Sequence, residues 1–179
     1  MENEILIIID PQNDFLSGSL AIADKIHSNA AVFNICEQIK KWNGDILITK
    51  DTHNKETYKN SIEGKYIPVY HCIKGTEGWD MNFHVQHTLD AYVGKAGYSI
   101  CEKDGIGSLH LPSYLTKNYD HIKICGFCTD ICVISNALIL RAAYPNTPIS
   151  VLSSCCAGTT RENHQKALDI MKMNCIDVI

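Results

Sequence analysis

The most apolar stretch of the chain, Ile5-Leu6-Ile7-Ile8-Ile9, contains no polar position and stops at Asp10-Pro11. A continuous run rich in β-branched residues predicts a strand buried on both faces, as in the middle of a parallel sheet, because a strand with one wet face would alternate. Beyond the turn-rich Ser17-Gly18-Ser19 the period changes. Val32, Ile35, Cys36, Ile39 and Trp42 recur at three and four residues, which predicts an amphipathic helix over 29–42 closed by Asn43-Gly44. Residues 45–50, centred on Ile46-Leu47-Ile48, read as the next buried strand and lead into Asp51-Thr52-His53. Strand, helix and strand in that order predict a right-handed crossover between parallel neighbours, so Asp10 and Asp51 leave the sheet at one edge. That is the edge where open α/β sheets bind ligands.

From 54 to 78 no period is visible, and so long a loop is uncommon in a compact domain unless it has a function. It carries Glu63 and His71. Short extended pieces are predicted at 90–93 and 100–103, and a weak helix over 108–118 interrupted by Pro112. A strand at 121–125 is followed by a helix of about 130–144, whose apolar side is Val133, Ile134, Ala137, Leu138 and Leu140. A strand at 149–152 comes next, then a last helix through Met171 or Met173, opened by Thr159-Thr160-Arg161-Glu162 as a capping box, and a closing strand at 176–179. Strands alternating with helices of this length predict one α/β domain over residues 1–179, a doubly wound α/β/α sandwich with a mostly parallel central sheet.

Composition narrows the partners. The chain has 179 residues and a formal net charge of −4, with its 16 basic residues scattered, so it offers no basic stripe to nucleic acid or to an anionic membrane. No apolar run has a membrane helix's length, and the acidic Met1-Glu2-Asn3-Glu4 is unlike a signal peptide, so a cytoplasmic location is expected. Nine cysteines in a chain of this size are too few for a disulfide scaffold, and their odd number fits free thiols in a reducing compartment. Cys128 and Cys132 have C-x-x-x-C spacing, a poor fit to a thioredoxin-type pair. Whether the chain forms a homo-oligomer stays open at this stage.

The candidate chemistry gathers at the predicted strand ends. Gly126-Phe127-Cys128-Thr129-Asp130-Ile131-Cys132-Val133 passes from a strand into a helix, which places Cys132 in the first helical turn. There the exposed N–H groups and the helix dipole favour an anion, and an ionisable thiol is expected. An isolated cysteine at such a corner more often fills space. Asp51 and His53, two residues apart on an extended segment, point the same way. With Glu63 and His71 they offer two imidazoles and two carboxylates, a set suited to zinc, iron or manganese rather than calcium or magnesium. Lys103, in Glu102-Lys103-Asp104-Gly105, is a solvated lysine unless it lies beside Asp10 and Cys132. In that case nucleophile, base and charge-stabilising cation are all present.

The stretches Ile9-Asp10-Pro11-Gln12-Asn13-Asp14-Phe15, Lys50-Asp51-Thr52-His53, His71-Cys72-Ile73-Lys74-Gly75-Thr76-Glu77-Gly78-Trp79, Glu102-Lys103 and Gly126 to Val133 span nearly the whole chain. In this order they resemble the nicotinamidase/pyrazinamidase branch of the isochorismatase-like cysteine hydrolases. The resemblance implies a Rossmann-like sandwich and hydrolysis of nicotinamide or a close small carboxamide through a thioester. It implies Asp10, Lys103 and Cys132 as a catalytic triad. It further implies a divalent metal, zinc first with iron or manganese as the others, on Asp51, His53, His71 and, as a fourth ligand, Glu63. It also implies a cis peptide at Phe127-Cys128 that turns the N–H groups of Cys128 and Cys132 into an oxyanion hole, and Phe15 packing on the substrate ring. Pro68 stands where the family often has a second stacking aromatic, and Tyr70 or Tyr66 is the expected substitute. The competing readings are a metal-free relative acting on another small carbonyl substrate, and a non-catalytic thiol redox or metal-binding protein.

Overall fold

In the computed structural model, which describes residues 3–94 and 97–179, the six strands run parallel in the order β3-β2-β1-β4-β5-β6. The strands are β1 (Glu4–Ile9), β2 (Asp45–Asp51), β3 (Tyr98–Lys103), β4 (His121–Phe127), β5 (Ile149–Ala157) and β6 (Asp177–Val178). The helices are α1 (Asn13–Leu16), α2 (Lys25–Lys41), α3 (Lys55–Tyr58), α4 (Ile62–Tyr66), α5 (Phe83–Tyr92), α6 (Ile134–Ala143) and α7 (Arg161–Met173). A short 3₁₀ turn (Leu111–Tyr114) and a π-helical turn (Thr129–Val133) complete the set.

Ile5 to Ile9 are buried throughout, as a strand covered on both faces requires, and β1 pairs with β2 on one side and β4 on the other. The chain builds outward from β1 through β2 to β3, then returns to the other side of β1 to lay down β4, β5 and β6. Strand order therefore reverses between β1 and β4, and the crevice above their carboxyl ends is the switch point at which such sheets bind ligands. The sheet is wholly parallel where the sequence predicted a mostly parallel one. Among the described residues, no helix is long and apolar enough to cross a membrane.

Several elements differ from the pattern-based reading. The first long helix begins at Lys25, four residues early, because Asp24 caps it by accepting the His27 N–H at 2.9 Å. Residues 90–92 are the end of α5, with Val93 as its C-cap, and not a strand: Val85 and Leu89 bury one face of a helix, and a short apolar run does not reveal its period. The loop over 54–78 contains α3 and α4, each capped by its own Asn54 or Ser61 side chain. Around Pro112 only the 3₁₀ turn forms. Strand β5 runs to Ala157, five residues beyond expectation, its register against β4 shifting between Ile124 and Gly126. The cap of α7 is Thr160, which accepts the Asn163 N–H, so the capping-box reading on Thr159 was displaced by one residue.

Candidate active site

Asp10 follows β1 with φ at 46°, a left-handed conformation that a short polar side chain tolerates better than a branched one. The hydroxyl of Thr49 donates to Asp10 Oδ1 at 2.6 Å, and Lys103 Nζ, from the end of β3, lies 2.7 Å from Oδ2. That ammonium contact is too oblique for a good hydrogen bond, so Oδ2 is held chiefly by charge. The same Nζ lies 3.8 Å from Cys132 Sγ, 3.3 Å from Asp51 Oδ1 and 2.8 Å from the carbonyl of Gly105. Sheet topology thus brings together three residues that the sequence separates by some 120 positions, because they stand at the carboxyl end of β3 or just after those of β1 and β4, all on one edge of the sheet.

Gly126 makes the corner possible. Its φ is 123°, and a Cβ there would lie 2.1 Å from the Ile9 carbonyl oxygen, so only glycine lets β4 run this close to β1 before the turn. The Phe127-Cys128 peptide is cis, as the resemblance implied. Cys132 then sits in a π-helical turn, with Ile131 and Val133 N–H groups both bonded to the Cys128 carbonyl.

The electrostatics reverse one expectation. Burial pushes the Cys132 thiol well above its ordinary range; the Lys103 cation pulls it down, and the Asp10 and Asp51 carboxylates push it up again. Complete enclosure outweighs both the helix terminus and the single cation, so Cys132 is a protonated thiol in the free protein. Burial likewise raises Asp10, against the downward pull of Lys103, which makes that carboxylate a better proton acceptor than an exposed one. Cys128 is pushed up to about 12 by burial and the nearby Asp130. All nine cysteines are free, so no C-x-x-x-C disulfide forms.

Asp51, His53, Glu63 and His71 converge, their candidate ligand atoms all within 4.8 Å of one another. His53 Nε2 stands 3.0 Å from Asp51 Oδ2 and 3.4 Å from Glu63 Oε1, and His71 Nε2 is 3.3 Å from each of those oxygens. A tetrahedral ion with bonds of about 2.0–2.1 Å needs ligand atoms about 3.3–3.4 Å apart, and these four nitrogen–oxygen distances are close to that. The distal nitrogen of His71, Nδ1, is 3.0 Å from the Val69 carbonyl and 3.2 Å from the Tyr58 hydroxyl, partners that orient the ring with Nε2 toward the cluster. Burial alone would keep both imidazoles neutral. Bonds to Asp51 and Glu63 outweigh it, raising His53 to about 9 and His71 to about 10, while the imidazoles bring Glu63, which burial raises, down to about 2.

The loop is delivered to the strand by main-chain bonds. His53 N–H donates to Cys72 O and Lys74 N–H to His53 O, a parallel bridge that extends β2 and sets His71 beside His53. Asp14 accepts the Ser19 and Cys72 N–H groups, tying that loop to α1, which carries Phe15. Phe15 lies 5.9 Å from the His71 ring, centroid to centroid.

Above these groups is a cavity of about 150 Å³, lined by Phe15, Asp51, Glu63, His71, Cys128 and Cys132 and closed by Leu20, Ile67, Ile106, Ile131 and Thr159. A cavity of roughly this size accepts a benzene-sized guest. Tyr70, the expected second stacking aromatic, is not among the residues lining it: its ring packs on Tyr58 and under Lys59, and Tyr66 is 85% exposed. The aliphatic Ile67 takes that side instead. Sequence reasoning also missed two buried clamps. Gln12 accepts the Asp51 N–H and donates to the Asp51 and Trp79 carbonyls. Asn136 donates to the carbonyls of Cys132 and Ile106 and accepts the Ser108 N–H, joining the loop after Lys103 to the cysteine. A polar residue four positions after Cys132 on an otherwise apolar helix side was the available signal for the second.

Comparison with known families gives a match to the isochorismatase domain over residues 4–179. The chain belongs to the isochorismatase family. Solved structures agree with this domain's fold end to end. A pyrazinamidase/nicotinamidase from Streptococcus mutans UA159 shares 26% identity, covers 99% of this chain and 100% of its own, and superposes with a TM-score of 0.85. A pyrazinamidase of Pyrococcus horikoshii in complex with zinc shares 23% over 99% of this chain and 98% of its own, with a TM-score of 0.78. An N-carbamoylsarcosine amidase from Thermoplasma acidophilum shares 21% over 98% and 95%, with a TM-score of 0.75. A comparison with curated protein sequences finds no match.

Proposed function

We propose that this isochorismatase-family hydrolase is a cysteine amidohydrolase that converts nicotinamide, or a close single-ring carboxamide, to the acid and ammonia. The observation that carries the reading is Lys103 Nζ held between Asp10 Oδ2 at 2.7 Å and Cys132 Sγ at 3.8 Å, at the floor of a ring-sized cavity. The amidases among the similar structures support it.

In this reaction Cys132 gives its proton to Asp10 as Sγ attacks the amide carbon, and Lys103 stabilises the thiolate that burial disfavours. The N–H groups of Cys128 and Cys132 donate to the oxyanion, each contributing about 3 kcal/mol in comparable sites. Asp10 returns the proton to nitrogen, ammonia leaves and a thioester remains; Asp10 then takes a proton from water, which hydrolyses the thioester to acid and restores the thiol. Asp51, His53, Glu63 and His71 would hold a divalent metal, zinc first, a reading supported by their convergence, by their donor types of two imidazoles and two carboxylates, and by the zinc-bound pyrazinamidase. When bound, that ion supplies a Lewis acid at the cavity wall.

Ammonia release from nicotinamide by purified protein, before and after treatment with a chelator, tests the reading. Turnover that falls with metal content supports it, and absence of ammonia from the metal-loaded enzyme on any small carboxamide overturns it. The aliphatic wall at Leu20, Ile67 and Ile131 makes a non-aromatic carboxamide the second substrate to assay.

A further inference from the structure

One pair of partly buried imidazoles, His27 and His164, has no part in the chemistry above. His164, in the first turn of α7, places Nδ1 2.8 Å from the hydroxyl of Thr129, the first residue of the π turn, and Thr129 is fully buried. His27 of α2 stands behind it edge to face, with the ring centroids 4.7 Å apart. Burial, then the neighbouring His27 and Arg161, lower His164 below the usual imidazole range against the pull of Asp130, so it is a neutral hydrogen-bonding ring. The next residue of the turn is tied from the same side: Asp130 accepts the Thr159 N–H at 2.8 Å and also the Thr159 hydroxyl. Gly158 lets these groups close up, since a Cβ there would lie 2.7 Å from Asp130 Oδ1 and 2.9 Å from His164 Cβ.

Helix α7 and the loop after β5 are thus locked onto two consecutive residues of the turn that presents Cys132. A π-helical turn is rare and frequently sits at a functional site, and here its first two residues carry side-chain ties to α7 and to the loop after β5. We propose that His164 is a positioning residue, whose Nδ1 bond to Thr129 fixes the turn so that Cys132 faces the cavity. This rests on the reading of Cys132 as nucleophile. Much of the cavity wall, including Phe15, Leu20, Ile67 and Ile106, comes from elsewhere, so loosening the turn lowers kcat and leaves KM nearly unchanged.

The test compares His164→Ala, His164→Asn and His164→Gln. An asparagine amide reaches about where Nδ1 stands, whereas a glutamine amide reaches toward Nε2. Expected are a fall in kcat of about tenfold or more for His164→Ala with KM within about twofold, recovery of most of it in His164→Asn, and none in His164→Gln. Thr129→Val combined with His164→Ala should lose little more than either alone. In parallel, alkylation by iodoacetamide, itself a small carboxamide, is followed at Cys132 by peptide-resolved mass spectrometry, with the exposed Cys175 as internal reference. Slower labelling of Cys132 in His164→Ala and His164→Gln than in His164→Asn supports the proposal even if the wild type releases no ammonia from nicotinamide, a result that counts against the proposed reaction alone. Should His164→Ala fail to fold, the Asn and Gln pair still decides. Labelling and turnover within about twofold of wild type in His164→Gln, or an Asn variant no better than the Gln variant, overturns the proposal.

Discussion

Asp51 divides the site into two neighbourhoods, one for each of its oxygens. Oδ1 faces Lys103, in a fully enclosed group with Asp10 and Cys132 whose members sit at or just after strand ends; Oδ2 faces His53 and His71, with Glu63 beyond them. Sheet hydrogen bonds hold the strands that carry Asp10 and Lys103, and removing either partner of this buried ion pair would strand a charge at a cost of about 3–5 kcal/mol. The second is assembled from one strand end and a long loop, and its Glu63 keeps 14% exposure on a five-residue helix. In the proposed reaction the enclosed group moves protons among fixed atoms, and the looser one is the proposed metal cluster.

The two halves should therefore fail differently. Cys132→Ala, which removes the proposed nucleophile without breaking the ion pair, is expected to lower turnover by about 10³-fold or more while metal content and melting temperature stay near wild type. Normal ammonia release from that variant would remove Cys132 from the reaction. His71→Ala should instead lose bound metal, read by elemental analysis, with turnover falling by more than about tenfold. Unchanged metal stoichiometry would break the assignment of the four-residue cluster.

The metal-stripped protein sharpens the contrast through pH. Since His53 and His71 are raised to about 9 and 10 in the folded chain, their contribution to stability is complete below about pH 6.5, the ordinary imidazole value. It is lost as pH rises through 9 to 10. Melting temperature in the presence of chelator should fall across that window, and the metal-loaded protein, whose imidazoles are neutral ligands throughout, should lack the fall. Equal pH dependence in both forms would contradict this account. The smallest effect is expected at Tyr70: because its ring packs on Tyr58 outside the cavity, Tyr70→Ala should change KM for nicotinamide by less than about threefold. A larger loss would return Tyr70 to the substrate wall.

The sequence by itself determined the buried strand Ile5–Ile9, the alternation of strands and helices, and the placing of Asp10, Asp51 and Cys132 at the sheet's carboxyl edge, because hydrophobic period and strand ends are local properties. Its motif order also carried the family. Tertiary structure alone decided the rest. Residues 90–92 became helix because Val85 and Leu89 had a core to face, and α2 gained a turn because Asp24 was free to cap it. Lys103 became a buried cation instead of a solvated one because β3 lies beside β2, and the same enclosure kept the Cys132 thiol protonated against local expectation. Ile67, not Tyr70, reached the cavity because the loop's path is set by its bonds to α1 and β2. Desolvation and loop placement depend on everything packed around a residue, and neither has a period that a sequence displays.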